Sequence, residues 1–383
     1  MHRILLLDTN VSSLPIYNYL LRENNEVFVI GGNPNDFLAK YATNYINLDY
    51  SKIDQTRALI DSLKIDYIVP GCNDRSYQIC SELNPKGQFK GLDSYEVNET
   101  INNKEKFRIF SSKLGLPVPK VFSKARADCV WPLIVKPVDA YSGRGTTIIR
   151  EPEKNNLDEA IQNAKEFSRS KTHIIEEYVE GQLFSHSAFV SDGKIILDFI
   201  VEEHCTVNQF VVDTSKVVFD FPPDILTRIR NSISLMIGEM NLVDGLIHTQ
   251  FIKNDESFWI IEITRRCPGD LYSLLIEFST GLPYAEYYAK PFLGRPIDLN
   301  LAITTQSHIM RHTISQPVEG SFASLKFNIP IQIEKLITLS LAGDKVKASP
   351  FGRIALIFVK ANSASELSYI YEQTVKRNLY YIQ

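Results

Sequence analysis

Cysteine is scarce in this chain, and its cysteines form no framework. There are five among 383 residues, an odd number, scattered and without a Cys-x-x-Cys pair. This spacing disfavours a zinc centre or a disulfide scaffold. We therefore expect reduced thiols in a cytoplasmic protein.

Long apolar runs and an excess of positive charge are also missing. No run approaches the roughly 18 residues that a membrane-spanning helix needs, and the segment Met1–Leu7 lacks the form of a signal peptide. The formal net charge of −4 is untypical of proteins that bind nucleic acid. We therefore expect neither a membrane nor a nucleic acid as partner.

Strand and helix patterns alternate through the first quarter of the chain. Apolar runs at Ile4–Leu7, Val27–Ile30 and Tyr67–Val69 are separated by helical patterns at Leu14–Glu23 and Ile53–Leu63. This alternation predicts a parallel α/β sheet. The first strand-to-helix turn lacks the Gly-x-Gly-x-x-Gly pattern, so a dinucleotide site is not expected there.

The remaining chain predicts two further parts. A helix over Lys104–Leu114 leads through two prolines, Pro117 and Pro119, into a segment of about residues 118–180 that suits a lid. More strands and an amphipathic helix, Asp224–Met240, follow, and the tail is rich in strand patterns. We expect an α/β and α+β protein with boundaries at 1–98, 99–297 and 298–383.

The stretch Trp131–Arg150 carries the most informative local pattern. An apolar strand ends at Lys136, a polar loop contains Ser142-Gly143-Arg144-Gly145, and a β-branched run follows. Glycines let backbone N–H groups approach an anion, while Lys136 and Arg144 add positive charge. The pattern is typical of a loop over nucleotide phosphates, although an ordinary hairpin turn has the same form.

Four segments, taken in order, resemble a known superfamily. They are Asn103-Lys104, Lys136 with its glycine loop, Ile175–Val179 and Trp259–Arg266. Over about residues 1–297 their order and spacing resemble the ATP-grasp superfamily, and most closely its carboxylate–amine ligases, whose signature runs Glu-x-Asn-x-Arg-x-Gly-Gly-Asp. The resemblance implies a parallel pre-ATP-grasp domain, an ATP-grasp fold with a small lid and a larger mixed sheet, and a β-rich C-terminal extension. It also implies ATP and Mg²⁺ or Mn²⁺ as cofactors.

The resemblance also assigns the nucleotide contacts. Lys104 and Lys136 match two lysines that contact the α- and β-phosphates, although Lys104 could also be an exposed helix charge. The hinge that holds adenine matches four successive residues: Glu176, Glu177, Tyr178 and Val179. A solvated strand end is the alternative for the two glutamates.

The ribose contact departs from the superfamily. The glutamate that commonly binds ribose falls at Leu183, and leucine cannot accept a hydrogen bond from a hydroxyl group. The contact is therefore lost or moved to Glu180, Ser185 or His186.

The metal side carries further departures. Glu262 matches the carboxylate that bridges two metal ions, and a solvated strand end is its alternative. The second metal carboxylate falls at Gln250 and the metal-binding asparagine at Thr264, so one negative charge is lost. We expect fewer or weaker metal ions, or a site that is completed only by ATP. Arg266 matches the arginine that stabilises the transferring phosphoryl group, and with Lys136 it is a predicted catalytic residue.

Four residues are candidates for substrate contacts. Gly269 and Asp270 match the end of the signature, and Asp270 is expected to meet an amine. His248 lies two residues before Gln250 and should face the same cleft. Arg311, next to His312, could bind a substrate carboxylate or belong to an exposed strand pair.

The expected function is an ADP-forming carbon–nitrogen ligase. It would join a small-molecule carboxylate to an amine through an acyl phosphate. The alternatives are a carboxylase or carbamoyl phosphate synthetase-like enzyme, a regulatory protein that binds nucleotide without turnover, and an α/β binding protein that does not use ATP. Many enzymes of this superfamily are homodimers, and the sequence leaves the oligomeric state open.

Overall fold

The N-terminal part is a parallel sheet covered by helices. The computed structural model describes residues 1–123, 131–140, 143–150, 154–255, 257–297 and 305–383. The first sheet has the order β3-β2-β1-β4, and all its pairs are parallel. Its strands are β1 (Arg3–Leu7), β2 (Glu26–Gly31), β3 (Tyr45–Asn47) and β4 (Tyr67–Pro70). The helices of this part are α1 (Leu14–Arg22), α2 (Phe37–Tyr41), α3 (Ile53–Leu63), α4 (Asp74–Leu83) and α5 (Tyr95–Asn102).

A small three-stranded sheet follows. Its order is β6-β5-β7, and both pairs are antiparallel. Apolar side chains of β5 and β7 pack on one helix, α7. The elements of this part are α6 (Lys104–Lys113), β5 (Leu133–Pro137), β6 (Thr147–Ile149), α7 (Lys154–Phe167) and β7 (His173–Glu177).

The largest sheet has eight antiparallel strands and includes strands from the C-terminal tail. Its order is β12-β11-β8-β9-β10-β13-β18-β16. The elements up to residue 297 are β8 (Gln182–Ser191), β9 (Lys194–His204), β10 (Thr214–Val218), α8 (Pro223–Met240), β11 (Gly245–Lys253), β12 (Phe258–Thr264), α9 (Tyr272–Thr280) and α10 (Tyr284–Ala289). Those of the tail are β13 (His308–Ile314), β14 (Gly320–Ser321), β15 (Leu325–Phe327), β16 (Gln332–Thr338), β17 (Lys345–Val346), β18 (Ala355–Ala361), α11 (Ala364–Val375) and β19 (Tyr380–Ile382).

Helix α8 shows how local sequence places these elements. It begins at Pro223, whose fixed φ angle suits a first helical turn. Ile225, Ile229, Ile233 and Ile237 recur every four residues and are buried, so one face of the helix packs on the large sheet. The helix ends at Met240, and the next residue, Asn241, adopts the left-handed conformation common after a last turn.

The predicted fold class is confirmed. The parallel N-terminal sheet, the small sheet and the larger sheet are all present. The larger sheet is antiparallel at every described strand pair and not mixed as expected, because several of its neighbouring strands follow each other through short loops. Three strands of the β-rich tail, β13, β18 and β16, continue the large sheet. The other tail strands form two small two-stranded sheets, β14 with β17 and β15 with β19. The domain boundaries at residues 98 and 298 stay a prediction. Among the described residues, no helix is both long enough and apolar enough to cross a bilayer.

Candidate active site

One cavity of about 750 Å³ lies between the small sheet, the large sheet and the loop after β4. It gathers most of the residues that the sequence singled out. The predicted residues that line it are Lys104, Lys136, Gly143, Glu177, Tyr178, Val179, His248, Gln250, Glu262, Thr264, Arg266, Gly269, Asp270 and Arg311. Their individual roles stay predictions.

Two lysines form the cationic side of the cavity. Lys104 begins α6, and its Nζ donates to the carbonyl oxygen of Ala140 at 2.8 Å. Lys136 lies on β5 and donates to Glu176 Oε2 at 2.8 Å. Burial lowers the pKa of the Lys104 ammonium, Glu262 opposes this effect, and Lys136 adds to it. An anion bound between the lysines would therefore relieve their repulsion.

Glu176 is not among the described residues that line the cavity. Its carboxylate is fully buried and lies 2.7 Å from Arg108 Nε and 2.8 Å from Lys136 Nζ. Burial disfavours its charged form, but Lys136 and Arg108 outweigh that cost and lower its pKa to about 2. The expected contact between this carboxylate and adenine therefore does not fit the geometry, and neither does the solvated strand end. Neighbouring Glu177 does line the cavity.

The two hinge residues Tyr178 and Val179 differ in their backbone N–H groups. The Tyr178 N–H donates to Pro132 O at 2.9 Å. The Val179 N–H has no backbone partner among the described residues, and Val179 lines the cavity.

The glycine loop reaches the cavity through one glycine. Gly143 lines the cavity in the left-handed conformation, with φ of +65°. Arg144 instead places its guanidinium over the Phe351 ring, 5.2 Å from the centroid. Neither Arg144 nor Gly145 is among the described residues that line the cavity, and Ser142 lies outside the described residues.

None of the three alternatives for the ribose contact lines the cavity within the described residues. Glu180 is exposed and lies 3.5 Å from Arg150. Ser185 bonds with Glu203 and Tyr272, while His186 is buried against Asp198. Leu183 itself lines the cavity, as does Gln182, which the sequence did not suggest.

A β-bulge aims Glu262 at the cavity. Gln250 pairs with Glu262 and Phe251 with Ile260, so Ile261 is the extra residue on β12. As a result Ile261 and Glu262, although consecutive, both line the cavity. Arg108 Nη2 donates to Ile261 O at 2.7 Å, which ties this bulge to the buried Glu176.

Thr264 is less available to a metal than expected. Its hydroxyl donates to Asp74 Oδ1 at 3.1 Å and accepts from the Arg266 N–H at 3.3 Å. Among the described residues, no group of three or more His, Cys, Asp or Glu side chains could hold a metal ion. The Glu262 carboxylate and the Gln250 amide do line the cavity together.

Arg266 is held by a residue of the N-terminal part. Its Nε and Nη2 lie 3.0 Å and 3.1 Å from the two carboxylate oxygens of Asp74, at the start of α4. Burial opposes the charge on Asp74, but Arg266 outweighs it and lowers the pKa of Asp74. This two-point contact fixes the plane of the guanidinium beside the cavity.

The substrate candidates Asp270 and Arg311 also line the cavity. Arg311 is 3% exposed, and its Nη2 donates to Ser215 Oγ at 2.8 Å, so the exposed strand pair is wrong. Asp270 lies 2.6 Å from Arg353 and 3.6 Å from Arg311. Burial opposes its charge, but the two arginines outweigh it and lower the pKa of Asp270.

His248 faces the cleft as a neutral imidazole. Its Nδ1 lies 2.7 Å from Ser187 Oγ. Burial lowers its pKa to about 3, and Arg266 and His186 contribute. The predicted position in the cleft agrees with the structure.

Three residues in or next to the site were not predicted from the sequence: Arg108, Asp74 and Glu203. Arg108 lies four residues after Lys104 and so on the same face of α6, a usable signal. Asp74 follows the carboxyl end of a parallel strand, where ligand sites commonly form. Glu203 gave no usable signal, because alternation shows only that one of Glu202 and Glu203 faces inward.

The sequence and the fold were compared with those of known proteins. Residues 129–273 match the ATP-grasp domain family. The chain is 28% identical over 341 residues to formate-dependent phosphoribosylglycinamide formyltransferase of Pelobacter propionicus, covering 82% of this chain and 79% of that protein. It is 23% identical over 218 residues to the carbamoyl phosphate synthase large chain of Thermotoga neapolitana, covering 53% of this chain.

Coverage limits what these likenesses show. The chain spans 19% of the Thermotoga neapolitana protein and about half or less of similar carbamoyl phosphate synthase chains. A crystal structure of L-amino acid ligase from Bacillus licheniformis superposes with a TM-score of 0.79 at 15% identity, over 100% of this chain and 98% of that one. At that identity the superposition establishes the fold alone. The chain therefore contains an ATP-grasp domain, and the resemblance read from its four ordered segments is confirmed.

Proposed function

We propose that the protein is an ATP-dependent ligase that joins a carboxylate to an amine and releases ADP and phosphate. The observation that carries this proposal is the convergence of Lys104, Lys136, Glu262 and Arg266 on one cavity. A carbon–nitrogen bond as the product is our inference from these residues, and one protein of the same fold is named L-amino acid ligase. Carboxylate–amine ligation is thus the reaction class that best fits these residues.

ATP would lie along the edge of the small sheet. Adenine would meet the hinge at Glu177 and Val179, and the phosphates would lie between the lysines, under Gly143. Each lysine–phosphate contact at about 4 Å contributes on the order of 4 kcal/mol at an effective dielectric near 20. Lys104 and Lys136 would therefore carry much of the phosphate affinity.

The donors at Glu262 and Gln250 fit a magnesium or manganese ion that shares its coordination with phosphate oxygens. Both ions favour oxygen ligands, and magnesium is commonly bound by one or two carboxylates together with substrate phosphates. Such an ion would neutralise charge between the β- and γ-phosphates. Because the protein offers few ligands here, we expect tight metal binding only together with nucleotide.

Arg266 is suited to stabilise the phosphoryl group during its transfer. Asp74 fixes the guanidinium before any substrate arrives, so little reorganisation is needed in the transition state. The substrate carboxylate would attack the γ-phosphorus to give an acyl phosphate and ADP. The amine would then attack the acyl carbon, and phosphate would leave.

The part of the cavity lined by Arg311, Asp270 and His248 would receive the second substrate. Arg311 offers a buried positive charge to a carboxylate, and its Nε has no partner among the described residues. Asp270 already faces two arginines, so an ammonium ion there would compete with them. His248 stays neutral near pH 7 and offers a hydrogen bond without charge.

A product assay tests the proposal. The purified protein is incubated with ATP, Mg²⁺ and pools of carboxylates and amino acids, with Glu262→Gln as the matched variant. We expect ADP and phosphate, with release that depends on the carboxylate pool and is lost in Glu262→Gln. AMP and pyrophosphate would contradict the mechanism, and nucleotide binding without any ADP release would favour the regulatory alternative. A cytoplasmic location and a homodimer stay predictions.

A further inference from the structure

The buried carboxylate of Glu203 lies beside Gln250, the position where the ATP-grasp resemblance implies a second metal-binding carboxylate. Glu203, on β9, is 3% exposed and lines the cavity. Its Oε1 accepts from the Ser185 hydroxyl at 2.8 Å, and its Oε2 accepts from Gln250 Nε2 at 2.8 Å. Within the described residues it has no ion-pair partner. A buried carboxylate in this setting gains from a cation placed near it.

The contact with Glu203 also sets the direction of the Gln250 amide. The Gln250 NH₂ group donates to Glu203 Oε2, so the amide nitrogen lies toward Glu203. Its carbonyl oxygen is then directed away from Glu203. Gln250 pairs across the strands with Glu262, so this oxygen and the Glu262 carboxylate belong to the same end of the cavity.

We propose that Glu203, acting through Gln250, supplies the second negative charge of the metal site at Glu262. Gln250 would bind the ion through its carbonyl oxygen, and Glu203 would be a positioning residue that orients and polarises that amide. The charge that the sequence lacks at position 250 would thus come from a strand two places away in the sheet. This inference rests on the proposed function, because it assumes a metal–nucleotide site.

The test measures Mn²⁺ binding without turnover. Mn²⁺ is titrated by electron paramagnetic resonance into the protein with the non-hydrolysable ATP analogue AMPPNP. Loss of such an outer contact typically weakens metal binding about tenfold to a hundredfold, so we expect Glu203→Gln to raise the Kd for Mn²⁺ by at least about tenfold. The affinity for AMPPNP without metal and the thermal midpoint should stay close to those of the unchanged protein.

Two further variants separate charge from structure. Glu202→Gln makes the same change one residue earlier, at a carboxylate that pairs with Lys216 and His204 and is not among the described residues that line the cavity. It should leave the Kd unchanged. The exchange Glu203→Gln with Gln250→Glu keeps both the hydrogen-bonded pair and the total charge. It should restore the Mn²⁺ affinity that Glu203→Gln loses.

The outcomes distinguish this inference from the proposed function. An unchanged Kd in Glu203→Gln, or no recovery in the exchanged pair, would overturn the role of Glu203 while leaving the ligase proposal intact. If the unchanged protein binds no Mn²⁺ in the presence of AMPPNP, both proposals are overturned.

Discussion

The charged residues of the site are paired before any substrate arrives. Arg266 is held by Asp74, and Glu176 holds Lys136 and Arg108. A buried charge without a partner costs several kcal/mol, so these pairs let cations lie beside the cavity in fixed orientations. At the scale of single residues, the carboxylates thus prepare the cations for a phosphate-bearing ligand.

The geometry of Arg266 can be tested by keeping its charge. Arg266→Lys retains one positive charge but loses the two-point contact with Asp74. We expect kcat to fall about a hundredfold or more, because the cation would no longer be fixed in the transition state, while the Kd for ATP changes little. Steady-state kinetics and calorimetry measure the two quantities. If kcat and the affinity for ATP fell by the same factor, a role of Arg266 specific to phosphoryl transfer would be contradicted.

Glu176 predicts a pH dependence of stability. Its pKa falls from 4.5 to about 2 on folding, so its contribution to the free energy of unfolding is fully present above about pH 4.5 and lost as the pH falls toward 2. We expect the urea midpoint to decrease between about pH 5 and pH 3, and Glu176→Gln to be less stable near neutral pH but to lose less on acidification. Equal slopes in the two proteins would contradict this assignment.

At the scale of elements, the glycine loop depends on close packing. A Cβ added at Gly143 would lie 2.1 Å from Phe210 Cβ, on the loop between β9 and β10. This proximity shows that the glycine loop between β5 and β6 meets the loop between β9 and β10 at Gly143, and both residues line the cavity.

Gly143→Ala should therefore displace the loop. We expect the KM for ATP to rise about tenfold, because the loop could no longer lie against Phe210 and over the phosphates. Gly193→Ala is the matched control, since Gly193 has a similar φ of +71° but open space around its Cβ position. It should cost about 1 kcal/mol of stability and leave the KM unchanged. A similar KM in both variants would show that the contact has no role.

The long periodic elements could be predicted from the sequence, and the short ones could not. Helix α3 has the predicted bounds Ile53–Leu63, and α8 begins one residue earlier than expected. Strand β3 has three residues and, within the described part of the chain, pairs with β2 alone, so its conformation is fixed by a neighbour and not by its own pattern. The strands of the tail were expected, but their union with the large sheet depends on pairing between distant segments.

For the site, residue types were predictable and orientations were not. The ordered segments located Lys104, Lys136 and Glu262 around the cavity. The inward direction of Glu176 could not be read from β7, because its partner Arg108 lies on a different element. Ion pairs between side chains of different elements decide which of two adjacent glutamates faces a ligand. The alternation of side chains along one strand does not reveal these pairs.

At the scale of the whole molecule, the N-terminal part and the large sheet share one core. A continuous cluster of buried apolar side chains runs from β1 through α9 and α10 to β9. A buried ion pair adds to it: Arg265 Nε lies 2.6 Å from Asp93 Oδ2, and Asp93 also accepts from Tyr77 and the Val243 N–H. This shared core keeps Asp74 in position beside Arg266.

Removing Asp93 should destabilise the whole protein. Asp93→Ala leaves Arg265 buried without a counter-charge, which typically costs about 3–5 kcal/mol. We expect one cooperative unfolding transition with a lower urea midpoint. Glu372→Ala, which removes an exposed ion pair with Lys376, should change stability by no more than about 0.5 kcal/mol. Two separate transitions in Asp93→Ala would show that the parts do not fold as one unit.

Transfer of oxygen from the carboxylate tests the central claim most directly. A carboxylate that sustains ADP release is labelled with ¹⁸O in its carboxyl group, and the phosphate product is analysed by mass spectrometry. If the carboxylate attacks the γ-phosphorus and the amine later displaces phosphate, one labelled oxygen enters each phosphate. Phosphate without label, formed at the same rate as the amide, would contradict an acyl phosphate.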